Sequence, residues 1–221
     1  MTNDESAELL TAGLEAISRQ EYREAAEAFR RSAELGNAPA QYNLGRLYLR
    51  GLGVEASEFD ARVWFERAAG QNLPIAIRDI GLLFEEGLAG LRKDPKQAFE
   101  HYWRAAELGD AVSKYCIGAM YYHGKGVRRD CSEAVKWYHL AAKDGVVMAQ
   151  CDLAIELMNG RYVGRDAARA YFWMMLAAES GDATSKANLK IFEKQASDED
   201  IAQAHVYRLP LLLNGTFHPD V

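Results

Sequence analysis

The chain has 221 residues, of which 49% are hydrophobic and 26% are charged, a composition typical of soluble folded proteins rather than disordered or membrane proteins. Its formal net charge of −6 argues against binding to nucleic acid, which needs a basic field, and no apolar stretch is long enough to span a bilayer. The acidic start, residues 1–8, does not resemble a secretory signal, so we expect a cytoplasmic protein.

Residues 1–37 predict a first helix hairpin. Gly13, Ala25, Ala26, Phe29 and Ser32 resemble the positions of a plain tetratricopeptide hairpin. The interval from Gly13 to Ser32 is four residues shorter than the equivalent interval in the next hairpin. We therefore expect a shorter loop inside this first hairpin.

Four similar units follow, and we place them at 38–73, 74–110, 111–145 and 146–182. Their common feature is a step of 36 or 37 residues between helix-breaking glycines, namely Gly51, Gly87, Gly124 and Gly160. Pairs of alanines keep the same step. A fixed period of this size is typical of a solenoid, whose units cannot bury their apolar faces alone.

Each unit predicts two helices joined by a loop. The breaking glycine suits a left-handed C-terminal cap, and a polar N-cap begins the second helix at Ser57, Asp94, Asp130 and Asp166. Small residues recur in the middle of the first helix at Gly45, Gly81, Gly118 and Ala154, which predicts that another helix crosses closely there. The second helices carry ring side chains that we assign to the core: Trp64, His101, Trp137 and Trp173.

Residues 183–221 predict C-terminal capping helices and a tail. Lys190 replaces the small residue of the earlier units, so no further helix is expected to pack on that side. Residues 197–200 resemble a capping box, and we expect the helix that they begin to end before Pro210. The apolar segment 211–213 either docks on the last helices or protrudes.

Residues 44–54 (LGRLYLRGLGV) and 124–130 (GKGVRRD) closely resemble the Sel-one-like repeat, a variant of the tetratricopeptide repeat with a longer loop. The resemblance covers four units, although the second and fourth depart from it in the loop. It implies an all-α fold, a right-handed superhelical α-solenoid of antiparallel helix hairpins. It also implies a non-enzymatic scaffold or adaptor that binds a peptide or helix of a partner protein.

By the same resemblance, the first helix of each unit lines a concave groove. The residues expected to point into this groove are Tyr42, Arg46, Leu49, Arg50, Arg78, Leu82, Glu85, Tyr115, Tyr122, His123, Cys151, Ile155 and Met158. Tyrosine, arginine and methionine suit a protein-binding surface, because they combine contact area with directional hydrogen bonds. The alternative is that several of these side chains only pack against neighbouring helices.

A second candidate surface is a basic ridge at the loops within the hairpins. Its members are Arg92, Lys93, Lys125, Arg128, Arg129, Arg161 and Arg165. Cations are stabilising near the C-terminus of a helix, which explains the ridge without a ligand. Otherwise the ridge contacts an acidic partner or lipid headgroups.

No residue pattern predicts a catalytic site, a cofactor or a metal site. The histidines and cysteines do not have ligand spacing, and the motifs of phosphate loops and serine hydrolases are missing. A disulfide between Cys116 and Cys151, which lie in neighbouring units, is an alternative to packed thiols. Two other functions stay open, a regulatory or structural component at a membrane or envelope and a hydrolase with an unrecognised site. The protein is expected to be a monomer or a weak dimer.

Overall fold

The computed structural model describes residues 2–217, and those residues contain helices and loops but no β-strand. The helices are α1 (Thr2–Ser18), α2 (Tyr22–Glu34), α3 (Ala38–Arg50), α4 (Glu58–Gly70), α5 (Pro74–Glu86), α6 (Pro95–Glu107), α7 (Ala111–His123), α8 (Cys131–Lys143), α9 (Val147–Asn159), α10 (Ala167–Glu179), α11 (Ala183–Glu193) and α12 (Asp198–Asn214). The predicted all-α class is confirmed. Residues 218–221 of the predicted tail lie outside the described residues.

The helices form consecutive hairpins, since each odd-numbered helix from α1 to α9 packs against the even-numbered helix that follows it. The chain divides into two units, one ending at Asp110 and the other beginning at Ala111. In the first unit α2 packs on α3 and α4 packs on α5, so neighbouring hairpins cover each other's apolar faces. In the second unit α8 packs on α9, while α10 contacts both α11 and α12.

The small residue in each first helix lets an aromatic ring of the second helix approach the backbone. A methyl group added at Gly118 would lie 2.7 Å from the ring of Tyr138, and one added at Gly45 would lie 2.8 Å from Phe65. The predicted close approach is therefore confirmed, and the approaching group is a side chain of the same hairpin.

The aromatic positions assigned to the core from the sequence need a correction. The rings that cover the glycines are Phe65, Tyr102 and Tyr138, each one residue after the position assigned from the sequence. Trp64, His101 and Trp137 are only half-buried, whereas Trp173 is 1% exposed. Both positions are ring-bearing, so the sequence alone does not distinguish the one that faces the first helix from its neighbour.

The predicted caps are present. The side chains of Ser57, Asp130 and Asp166 accept hydrogen bonds from backbone N–H groups of the helices that they begin, and Asp94 does the same for α6. The breaking glycines have positive φ, a backbone conformation that favours glycine because it has no Cβ atom. The first hairpin has the predicted shorter loop, residues 19–21 against residues 51–57 in the next one.

The C-terminal region differs from the prediction in one respect. Ser197 and Asp200 form the expected capping box, but α12 continues through Pro210 to Asn214 instead of ending before the proline. Proline removes only one N–H from the helical ladder, and the backbone bond from Gly215 to the carbonyl of Leu211 still closes the last turn. Leu213 is 82% exposed, so this part of the tail protrudes.

Candidate functional site

The candidate site lies in the second unit, on the face formed by the first helices α7, α9 and α11. Polar side chains join these helices side by side. The hydroxyl of Tyr115 donates to Asp152 Oδ2 over 3.2 Å, and Cys151 Sγ lies 3.3 Å from Ser185 Oγ. The helices α7, α9 and α11 therefore lie side by side and form one face.

A cavity of about 590 Å³ opens on this face. Tyr115, Met148, Cys151 and Ile155 contribute to its lining. Met148 is 55% exposed and Ile155 is 37% exposed, although both are large apolar side chains. Apolar groups exposed beside half-buried polar groups are typical of a protein-binding surface.

A smaller cavity of about 200 Å³ shares Asp152 and Ile155 with the larger one. Tyr122, Tyr138 and Glu156 also line it, together with His123. The Glu156 side chain is 5% exposed, and its Oε1 accepts a long hydrogen bond of 3.4 Å from the Tyr122 hydroxyl. Its Oε2 is buried and has no hydrogen-bond partner.

The acidic side chains of this cavity are in an unfavourable environment. Burial raises the pKa of Asp152, while the hydrogen bond from Tyr115 and the nearby imidazole of His123 act in the opposite direction. Glu156 lies one turn further along α9 and has an unsatisfied carboxylate oxygen. A buried unsatisfied polar atom costs about 1–3 kcal/mol, and more when it is charged.

The first unit has an equivalent tyrosine–aspartate contact. The Tyr42 hydroxyl donates to Asp79 Oδ2 over 2.9 Å, and Arg78 donates to the other oxygen of Asp79. Burial, followed by the charge of Asp79, raises the pKa of Tyr42 to about 12. Arg78 also forms an ion pair of 3.4 Å with Asp110, which lies in the turn after α6.

A separate cleft of about 230 Å³ in the first unit brings Arg46 and Arg50 together. Leu14, Ile17 and Phe29 contribute the apolar part of its lining. Residues of α1, α2 and α3 contribute to this cleft. Two of the groove residues predicted from the sequence therefore border one concave feature.

The remaining predicted groove residues fall into three groups by exposure. The exposed ones are Leu49, Leu82, His123 and Ile155, the half-buried ones are Arg78, Glu85, Tyr115, Tyr122 and Cys151, and the buried ones are Tyr42 and Met158. Met158 belongs to the hydrophobic core, and the guanidinium of Arg165 lies 4.0 Å from its sulfur. Met158 and Tyr42 are each 7% exposed, so little of either side chain is accessible to a partner.

Sequence reasoning missed Met148, Asp152 and Glu156. A signal for Glu156 was present, because it stands two residues after the small residue of its helix, where the other three units have apolar residues. Those residues are Leu47, Leu83 and Met120, and all three are buried. A glutamate at a position that otherwise belongs to the core marks this repeat as different from its neighbours.

The members of the basic ridge are all exposed. Two of them have a structural role, since Arg129 Nε donates to the carbonyl of Tyr122 over 3.0 Å and Arg165 Nε donates to the carbonyl of Met158 over 3.2 Å. Both carbonyls lie in the last turn of a first helix, where unpaired acceptors and the helix dipole favour a cation. This favours the structural explanation for these two arginines.

Several other features bear on the function. The structure has Cys116, Cys131 and Cys151 as thiols, so the disulfide considered from the sequence is not present. Within residues 2–217 there is no group of three or more histidine, cysteine, aspartate or glutamate side chains that could hold a metal ion. Over the same residues, no helix is both long and apolar enough to cross a membrane.

Comparison with known proteins agrees with this architecture. The family model of the Sel1 repeat matches residues 38–73, 74–110, 112–146 and 147–182. The crystal structure of a Sel1 repeat protein from Oxalobacter formigenes is similar, with a TM-score of 0.83 and 30% identity, over 92% of this chain and 85% of that one. A protective antigen of uropathogenic Escherichia coli with an SLR fold has a TM-score of 0.76 and 28% identity, over 97% of this chain and 51% of its own.

Among curated proteins, an "exopolysaccharide production negative regulator" of Rhizobium leguminosarum bv. viciae is 27% identical over 132 residues. The match covers 54% of this chain and 49% of that protein. This chain thus spans about half the length of that curated relative.

Proposed function

Because the chain belongs to the Sel1 repeat family, we propose that it is a non-enzymatic scaffold that binds a peptide or helix of a partner protein. The binding surface is the face of the first helices, and its best-defined part is in the second unit. The observation that carries the proposal is the exposure of Met148 and Ile155 on a cavity that polar side chains border. Burying large apolar side chains of this kind against a partner contributes a favourable free energy of binding, because it removes apolar surface from water.

A role in regulation is compatible with this proposal. The Rhizobium relative is named a negative regulator, and a scaffold can regulate a partner by binding to it. A membrane role for the basic ridge has less support, because Arg129 and Arg165 already donate to helix carbonyls.

The proposal is tested by affinity capture with the full chain and with a double variant, Met148→Glu with Ile155→Glu. Docking of an apolar partner would bury both introduced carboxylates, which is unfavourable. The double variant should therefore not capture the proteins that the wild type captures. The matched control is Leu140→Glu, which places the same charge on an apolar side chain that is 46% exposed on the second helix α8.

Equal capture by the wild type and the double variant, with all variants folded by circular dichroism, would contradict the assignment of this face. Loss of capture by the Leu140→Glu variant alone would move the binding surface to the second helices.

A further inference from the structure

We infer that the smaller cavity of the second unit binds an arginine side chain of the partner, with Asp152 and Glu156 receiving its guanidinium group. The inference rests on the proposed function, since it names the residue type that a bound peptide contributes to this face. The first argument is the position of Glu156. It replaces the apolar residue of the other repeats and is only 5% exposed. Glu156 contributes to the lining of the cavity, and its buried Oε2 has no hydrogen-bond partner.

The donors that the protein itself provides are insufficient for these two carboxylates. Tyr115 donates to Asp152 over 3.2 Å, and Tyr122 donates to Glu156 over 3.4 Å. Both donors are neutral hydroxyl groups, so neither balances a carboxylate charge. A buried carboxylate becomes favourable when a cation pairs with it and hydrogen bonds satisfy its oxygens.

The two carboxylates lie four residues apart on α9, so they project from the same side of the helix. A guanidinium group is planar and carries five donors, which allows it to bond to two acidic groups at once. An ammonium group is a compact point charge that satisfies such a pair less well. The spacing therefore favours arginine over lysine.

The aromatic lining also suits a guanidinium group. Tyr122 and Tyr138 both line the cavity, and their ring centroids are 6.5 Å apart. Arginine stacks readily on tyrosine faces, which adds a cation–π contribution to the ion pair. Arg129 already lies 6.0 Å from the centroid of the Tyr122 ring, but its Nε is bonded to a backbone carbonyl rather than to Glu156.

The inference is tested by titrating the full-length protein with N-acetyl-arginine methylamide and following amide chemical shifts by NMR. We expect saturable shifts at residues 122, 123, 152, 155 and 156. The citrulline analogue has nearly the same shape but no charge, and it should bind at least about ten-fold more weakly, because a charge-assisted hydrogen bond is lost. The lysine analogue should also bind more weakly than the arginine probe.

The decisive variant is Glu156→Gln, which keeps an acceptor for the Tyr122 hydroxyl and removes the buried charge. It should weaken binding of the arginine probe about ten-fold and, at the same time, raise the melting temperature of the unliganded protein. The matched control is Glu193→Gln, because Glu193 also accepts a tyrosine hydroxyl, from Tyr171 over 3.3 Å, but is exposed. That control should change neither binding nor stability.

Equal binding of the arginine and citrulline probes, or undiminished binding to the Glu156→Gln variant, would overturn the inference. Equal binding of the lysine probe would overturn the assignment to arginine. If the Glu156→Gln variant does not fold, Asp152→Asn replaces it, since an asparagine oxygen can still accept from Tyr115. Undiminished arginine binding by that variant would also overturn the inference.

The failure of this inference differs from a failure of the proposed function. If partner capture needs Met148 and Ile155 but is unchanged by Glu156→Gln, the arginine site is wrong and the scaffold function stands. If the arginine probe binds in the cavity but capture does not depend on Met148 and Ile155, the site stands and the scaffold face is wrong.

Discussion

At the scale of single residues, the glycines inside the first helices allow the hairpins to close. A glycine in a helix interior costs about 1 kcal/mol relative to alanine, so a repeated glycine needs a compensating contact. The ring of Tyr138 supplies that contact at Gly118, because it lies only 2.7 Å from the position that a Cβ atom would take and is 4% exposed.

We predict that Gly118→Ala destabilises the protein by about 1–3 kcal/mol, although alanine is the better helix former, because the enclosed Tyr138 ring has no room to move. Gly70→Ala is the control, since nothing lies within 4 Å of a Cβ atom built there and that variant should be neutral or slightly more stable. Urea denaturation of both variants measures the difference. A neutral effect of Gly118→Ala would show that the hairpin is less tightly packed than the structure indicates.

The buried tyrosines predict a loss of stability at alkaline pH. Burial raises the pKa of Tyr42 and of Tyr115 to about 12, from an ordinary value of 10.0. The raised pKa favours the neutral phenol in the folded state. The contribution of each tyrosine to the free energy of unfolding is therefore complete below pH 10, and it is lost as the pH rises from 10 to about 12.

Measuring denaturation at several pH values across this range should show the free energy of unfolding falling, by about 1–3 kcal/mol for each tyrosine. The double variant Tyr42→Phe with Tyr115→Phe should show a shallower decrease. An equally steep decrease in the variant would mean that other groups cause the alkaline loss.

At the scale of elements, each second helix depends on a polar N-cap. The carboxylate of Asp130 accepts a hydrogen bond of 3.0 Å from the backbone N–H of Glu133. We predict that Asp130→Ala costs about 1 kcal/mol, while Asp130→Asn, which keeps the acceptor, costs only a few tenths. Thermal denaturation of the two variants tests this, and equal losses would indicate that charge rather than capping is important.

Sequence patterns were sufficient for the features that local geometry determines. A positive φ favours glycine, as at Gly51 and Gly160, and free amide groups at a helix start favour a polar cap such as Ser57. These caps could therefore be predicted from the sequence. Contacts between the two helices of a hairpin were harder to predict, because the adjacent residues Trp137 and Tyr138 both carry rings and differ in the direction that they face. The extension of α12 through Pro210 was missed, since the rule that proline ends a helix is a tendency.

The candidate site was predicted only in part, because the sequence does not show which side chains of neighbouring helices come together. Tyr115, Tyr122 and Ile155 were candidates from the sequence because repeat positions map to one helix face. Glu156 was missed, since the repeat places it in the core, and only the structure shows that a cavity lies beside it.

At the scale of the whole molecule, the formal net charge of −6 should affect partner binding. An acidic protein attracts a cationic segment over a distance, and salt screens that attraction. We predict that the association rate of an arginine-containing partner falls as NaCl rises from ~0.05 to ~0.5 M. Stopped-flow or surface plasmon resonance measurements test this, with a citrulline-substituted partner peptide as the control. A rate that does not change with salt would argue against a cationic partner.

We propose that the first helices of the second unit carry the binding surface. The most direct test is hydrogen–deuterium exchange of the full chain with and without its captured partner, read at peptide resolution. Binding of the partner should add protection in α7, α9 and α11, with little change in α8 and α10. Protection confined to the second helices, or to the loops at residues 124–130 and 160–166, would contradict it.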